Sequence, residues 1–177
     1  IPVEEQAKGI IIRMKEELSE SSDYVEVVID SASYRTAAES GKHAIFLGTE
    51  GLSFLHGNIK GLEDLYDLGM RSFGLTWNED NEFATGTYTN TSQGLSKEGI
   101  SCVKKINSLG AMLDLAHASR KTFFDAAGIA AAPFIVSHCN ADALCSHPRN
   151  LTDEQLRVVK EFNGVVGISG YGPFISS

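Results

Sequence analysis

Short apolar runs, each closed by polar residues, punctuate the chain at 44–50, 71–77, 111–117, 134–138 and 165–169. Near-continuous apolar runs of this length suit strands buried on both faces, as in a parallel sheet. The stretches between them are long enough for crossover helices, and their ends are readable. Ser96 is placed to cap a helix running to about Leu109, with Gly110 just beyond it. Ser119 caps a predicted helix over 120–127, followed by Gly128. Thr152 and Gln155 form a capping box for a helix over 153–162 that closes at Asn163 and Gly164. Further upstream, Ile10, Ile11, Met14 and Leu18 fall at helical spacing within residues 4–20, and a serine-rich stretch ends that helix. The segment 24–39 carries two signals. Val25, Val27, Val28 and Ile29 look strand-like, whereas Ala32, Ala37 and Ala38 favour a helix, expected over Ser31–Glu39.

The repetition is therefore βα, which leaves an open doubly wound sheet or a closed barrel. Neither the GxGxxG nor the P-loop fingerprint is present. A closed barrel has eight units and typically about 250 residues. About five units in 177 residues therefore fit a barrel only if the chain is part of one, whereas an open sheet needs no such condition.

Composition narrows the function classes. The chain is 42% hydrophobic and 21% charged, as ordinary globular proteins are. Fifteen Lys and Arg face 23 Asp and Glu, a net charge of -8. That balance argues against nucleic acid and against a polybasic membrane anchor. No run of 18 apolar residues predicts a membrane span, and the first residues do not have the form of a signal peptide. Cys102, Cys139 and Cys145 are odd in number and lack CxxC spacing, so reduced thiols and a cytoplasmic location are expected.

Three of the predicted strands end on residues that bind metals: Glu50 in GTEG, His117 in LDLAH and His138 in IVSH. In barrels and open α/β sheets alike, sites form at the carboxyl ends of strands. Taken singly, a strand-end His is more often a hydrogen-bonded structural residue. Three at one edge make a set suited to zinc, with a position left for water. Arg149, in a loop on the same side, could grip a substrate carboxylate or brace its loop. Trp77, the only tryptophan, could wall a pocket. Residues 78–82 read as a solvated polar loop, and strand alternation points Asp114 towards the helix layer as a structural residue. His43, His56 and His147 are weaker candidates, and Cys139 lacks a partner base.

The ordered set GTEG, LGMRSFGLTWN (68–78), GLSKEG (94–99), NSLGAMLDLAH (107–117), PFIVSHCNADAL (133–144) and HPRNLTDEQ (147–155) resembles the renal (membrane) dipeptidase family of zinc metallopeptidases, within the amidohydrolase superfamily. The resemblance implies a (β/α)8 TIM barrel of the metal-dependent hydrolase type carrying two zinc ions. Glu50 would bridge them, His117 and His138 would ligate one of them, and Arg149 would bind the substrate's carboxylate. The family's His-x-Asp pair on the first strand and an Asp on the last have no counterpart in this sequence. The chain thus matches the middle of such a barrel, which makes 1–177 a single, incomplete barrel domain, and taken alone it is expected to be inactive. Some relatives carry a His where this chain has Trp77, whose indole can only donate.

The function expected from this resemblance is hydrolysis of small dipeptides by a metal-bridging hydroxide, with a homodimer possible. The alternatives are another amidohydrolase acting on a lactam or related amide, or a non-catalytic fragment or degenerate homologue.

Overall fold

The computed structural model describes residues 1–89 and 93–176. Helix α1 (Val3–Glu20) leads into strand β1 (Val25–Val28), α2 (Ser31–Glu39) and β2 (His43–Phe46). Only Leu47 separates β2 from β3 (Gly48–Thr49). Then come α3 (Gly61–Asp67), β4 (Ser72–Gly74), α4 (Lys97–Ser108), β5 (Met112–Asp114), α5 (Arg120–Ala127), β6 (Ile135–Cys139), α6 (Asp153–Glu161) and β7 (Val165–Ile168). The strands pair in parallel: β1 with β2, then β3 through β7 in chain order. Sequential parallel pairing with intervening helices is how the wall of a (β/α)8 barrel is built, and this α/β chain forms an arc of that wall. No helix among the described residues is long and apolar enough to cross a membrane.

Both halves of the ambiguous segment 24–39 are realised. The β-branched run Val25–Val28 pairs with His43–Phe46, and the alanine-containing stretch becomes α2. Asp30 caps α2 through Ser33, whose hydroxyl answers the Asp30 N–H. The βα units therefore begin at β1, ahead of the first run read from the sequence, and the run at 165–169 supplies the last strand, β7.

The predicted caps form. Ser96 Oγ accepts from Gly99 N, Ser119 Oγ from Thr122 N, and Thr152 Oγ1 from Gln155 N. The closing glycines differ from one another. Gly110 takes a φ of 66°, but Gly128 stays right-handed at -62°, and after α6 it is Asn163, at 52°, that reverses the chain.

Helix α4 shows how the outer layer packs. Gly99, Cys102, Val103 and Ile106 sit at i, i+3, i+4 and i+7, and the last three join a core with Phe73, Leu113 and Phe123. Gly99 is obligatory at its position, because a Cβ there would lie 1.9 Å from Phe83 O.

The opposite face of the sheet is the concave side. Gly48, Ser72, Asp114, Ile135 and Ser137 line one cavity there together with Glu50 and His138. This corrects the orientation expected for Asp114. It faces the cavity, and its Oδ1 accepts from Ala116 N at 2.9 Å and Ser137 N at 3.0 Å. Alternation from His117 fails because regular β5 ends at Asp114 and His117 itself adopts a left-handed φ of 65°.

Candidate metal centre

Strands β3, β5 and β6 run parallel, so their carboxyl ends share one edge. Glu50 immediately follows β3, His117 lies three residues past the end of β5, and His138 lies within β6. Behind Glu50, Gly51 has a φ of 91°, and a Cβ there would lie 2.9 Å from Trp77 N. Glycine thus lets the segment after β3 press against the segment after β4.

The three side chains meet. His117 Nε2 lies 2.8 Å from Glu50 Oε1 and 2.9 Å from His138 Nε2, and His138 Nε2 lies 3.2 Å from the same Glu50 oxygen. Among the described residues, these three form a group of donors close enough together to hold a metal ion. His117 is buried, while Glu50 and His138 open towards solvent. Burial, then the charge of Arg149 and then that of His138, hold the His117 pKa down to about 3. The ring is therefore neutral at any ordinary pH, as a ligand must be.

The donor set fits a divalent ion. Two imidazole nitrogens and a carboxylate oxygen are borderline ligands of the kind zinc takes. Bonds of about 2.0–2.1 Å to a tetrahedral ion set neighbouring donors about 3.3 Å apart; the observed spacings of 2.8, 2.9 and 3.2 Å are shorter, so the donors would spread slightly to admit an ion. Each ring also has an oxygen beside its other nitrogen. Asn78 Oδ1 is 2.8 Å from His117 Nδ1, and Ser137 Oγ is 2.9 Å from His138 Nδ1. Such partners orient a metal-binding imidazole.

Arg149 adjoins this cluster. It is 6% exposed, its Nη1 lies 2.7 Å from His117 Nδ1, and its Nη2 donates to His138 O at 3.3 Å. Its Nε is buried with no hydrogen-bond partner among the described residues. Burial lowers its pKa, yet guanidinium remains a cation at any working pH. The loop that carries it is anchored by Asn150, which donates to Cys145 O and Phe174 O and accepts from Asn140 N. Trp77 is 52% exposed, with its ring 6.1 Å from that of His117. It stands as a wall beside the buried His117 ring.

The remaining histidines stay out of the cluster. His43 begins β2 at the opposite edge, His56 Nδ1 faces Glu82 at 3.6 Å, and His147 accepts from Arg149 N. The polar loop after Trp77 is more ordered than a solvated loop. Asn81 accepts from Phe83 N and Ala84 N and donates to Leu75 O, and Asp80 accepts from Gly86 N. Sequence reasoning missed Asn78, Asn81 and Asn150. Each is an asparagine in a loop, a residue type that patterning assigns to turns.

The sequence profile of the membrane dipeptidase family, peptidase family M19, matches residues 6–177. An uncharacterised dipeptidase of Schizosaccharomyces pombe is 41% identical over 153 residues, 83% of this chain and 37% of that protein. The crystal structure of an amidohydrolase from Pseudomonas aeruginosa matches with a TM-score of 0.91 at 30% identity, covering 96% of this chain and 52% of that one. A metallo peptidase from Rhodobacter sphaeroides, solved with a phosphinate mimic of the dipeptide L-Ala-D-Ala, gives a TM-score of 0.87 at 30% identity. There 96% of this chain and 51% of that chain are covered. The chain thus spans about half the length of these solved relatives.

Proposed function

The chain belongs to the membrane dipeptidase family, peptidase family M19, and on that premise we propose that the whole protein is a zinc-dependent dipeptidase built on two zinc ions. The observation that carries this reading is the convergence of Glu50, His117 and His138 on one point beside a buried arginine. Bound zinc supplies a Lewis acid that activates water at neutral pH and polarises a scissile carbonyl. The residues of this chain do the rest. Glu50, His117 and His138 hold the metal. Arg149, with one donor unpartnered in a buried setting, binds the carboxylate of the substrate, which selects a free C-terminus. Trp77 screens the His117 side from bulk water. A dipeptide substrate agrees with the dipeptide mimic held by the Rhodobacter sphaeroides relative.

The test is hydrolysis by the natural full-length polypeptide of L,L- and L,D-dipeptides, their C-terminal amides and a β-lactam. Turnover of the free dipeptides, lost on chelation and restored by zinc, with the amides poor substrates, is the expected result. Undiminished hydrolysis in the fully chelated protein sinks the metal reading. Turnover of the lactam alone moves the protein to another amidohydrolase activity.

A further inference from the structure

The segment between β4 and α4 holds His117 at both its backbone and its ring. The His117 carbonyl oxygen accepts from Thr87 N at 2.9 Å, Thr87 Oγ1 at 2.9 Å and Thr76 Oγ1 at 3.2 Å. These bonds support a left-handed conformation that is unfavourable for a residue with a Cβ. Asn78, from the same segment, sets its Oδ1 2.8 Å from His117 Nδ1. Asn78 is itself pinned. Its carbonyl accepts from Tyr88 N at 3.1 Å, and Gly86 packs so close that a Cβ would lie 2.6 Å from Asn78 C and O.

The ring nitrogen that Asn78 faces has a second neighbour, Arg149 Nη1, at 2.7 Å. The two neighbours make opposite demands. An amide oxygen only accepts, so it requires the proton on Nδ1. A guanidinium only donates, so it requires a lone pair there. A neutral imidazole has one N–H and one lone pair. With the proton on Nδ1, the lone pair of Nε2 points at Glu50 and His138. With the proton on Nε2, that nitrogen donates to Glu50 and cannot bind an ion. Both forms are neutral, so the choice involves no uptake of protons.

We propose that Asn78 is the positioning residue that selects the metal-binding tautomer of His117, and that this choice detaches Arg149 from the ring and leaves its guanidinium free for the substrate carboxylate. The proposal rests on the metal reading above. It makes metal loading and readiness for substrate two consequences of one proton's position.

The experiment uses the natural full-length polypeptide and zinc itself as the probe, with affinity read by competition against a chromophoric chelator. Asn78→Leu keeps the shape and removes the acceptor, whereas Asn78→Asp keeps an acceptor oxygen. Zinc affinity about 10–100-fold weaker in Asn78→Leu, and at wild-type level or tighter in Asn78→Asp, is expected. Equal affinity in Asn78→Leu and wild type overturns the proposal. So does equal weakening in both variants, since shape alone would then matter. A second measurement needs no variant: the ¹⁵N-histidine spectrum of the zinc-loaded wild type should show His117 protonated on Nδ1. Protonation on Nε2 overturns the proposal even if neither variant folds. A wild type that takes up no zinc removes the metal reading as well, whereas the other failures leave it standing.

Discussion

His117 Nε2 and Glu50 Oε1 lie 2.8 Å apart although 67 positions separate them in the chain. The sheet explains the meeting. Strands β3 and β5 flank β4 in parallel register, so the residues just past their carboxyl ends emerge at one edge. His138, brought in by β6, completes the set.

If these three atoms hold an ion, deleting one should weaken binding without unfolding the sheet, because the cluster sits at its rim. His138→Ala and Glu50→Gln are each expected to lower zinc affinity by about 100-fold or more, beyond the range seen when a ligand's outer partner is lost. Competition titration measures this, and a chelated sample checks that the fold persists. Wild-type affinity in either variant removes that residue from the site.

Asp114 is a brace between strands. One of its oxygens accepts the N–H groups of both Ala116 and Ser137, tying the exit of β5 to β6 one residue before His138. Asp114→Ala removes the acceptor from both donors, which should cost about 2–4 kcal/mol. Asp114→Asn keeps an acceptor and should cost less than half as much. Chemical denaturation of both variants decides this. Equal losses would mean that charge rather than hydrogen bonding sets the value of this residue.

The contrast between Glu50 and Asp114 shows what patterning can reach. The apolar runs, the caps at Ser96, Ser119 and Thr152, and the three strand-end donors are legible because each is a local signal: period, hydroxyl spacing, a polar stop after an apolar run. The face of Asp114 is not legible, since reading it backwards from His117 assumes a regular strand that ends three residues earlier. The left-handed φ of His117 depends on donors from Thr76 and Thr87, 41 and 30 positions away. Asn78 reads as a turn residue until the fold sets it against His117. Strand β1 is only half legible for a related reason. Four residues of valine-rich sequence run into a helix with no glycine or proline to mark the change.

Cys102 gives a pH dependence whose sign can be worked out. On the inner face of α4, burial alone raises its thiol from an ordinary value near 9 to about 12. The unfolded chain therefore releases this proton first as pH rises. The contribution to stability is complete below the unfolded value and is lost between about pH 9 and 12, with a slope of at most about 1.4 kcal/mol per pH unit. Cys102→Ser should flatten the alkaline limb of a denaturation-versus-pH curve relative to wild type. The same burial predicts that Cys102 escapes alkylation in the native protein at pH 8 and labels only on unfolding. Mass spectrometry locates the label, and rapid native labelling at Cys102 would contradict its place in the core.

Trp77 offers a direct view of the site, because it is the only tryptophan and its ring lies 6.1 Å from that of His117. An ion held on the Nε2 nitrogen of that imidazole would be bound to the ring that neighbours the indole. Cobalt(II) accepts nitrogen and carboxylate ligands as zinc does, and its partly filled d shell absorbs light, whereas d¹⁰ zinc does not. Cobalt should therefore quench the emission of Trp77 saturably, at the same concentration at which its visible d–d bands grow in. Zinc should compete for the site and restore the emission. In His138→Ala both signals should shift together to higher cobalt concentration. Cobalt bands that develop with no change in tryptophan emission would place the ion elsewhere on the protein, and would remove the ligand role assigned to Glu50, His117 and His138.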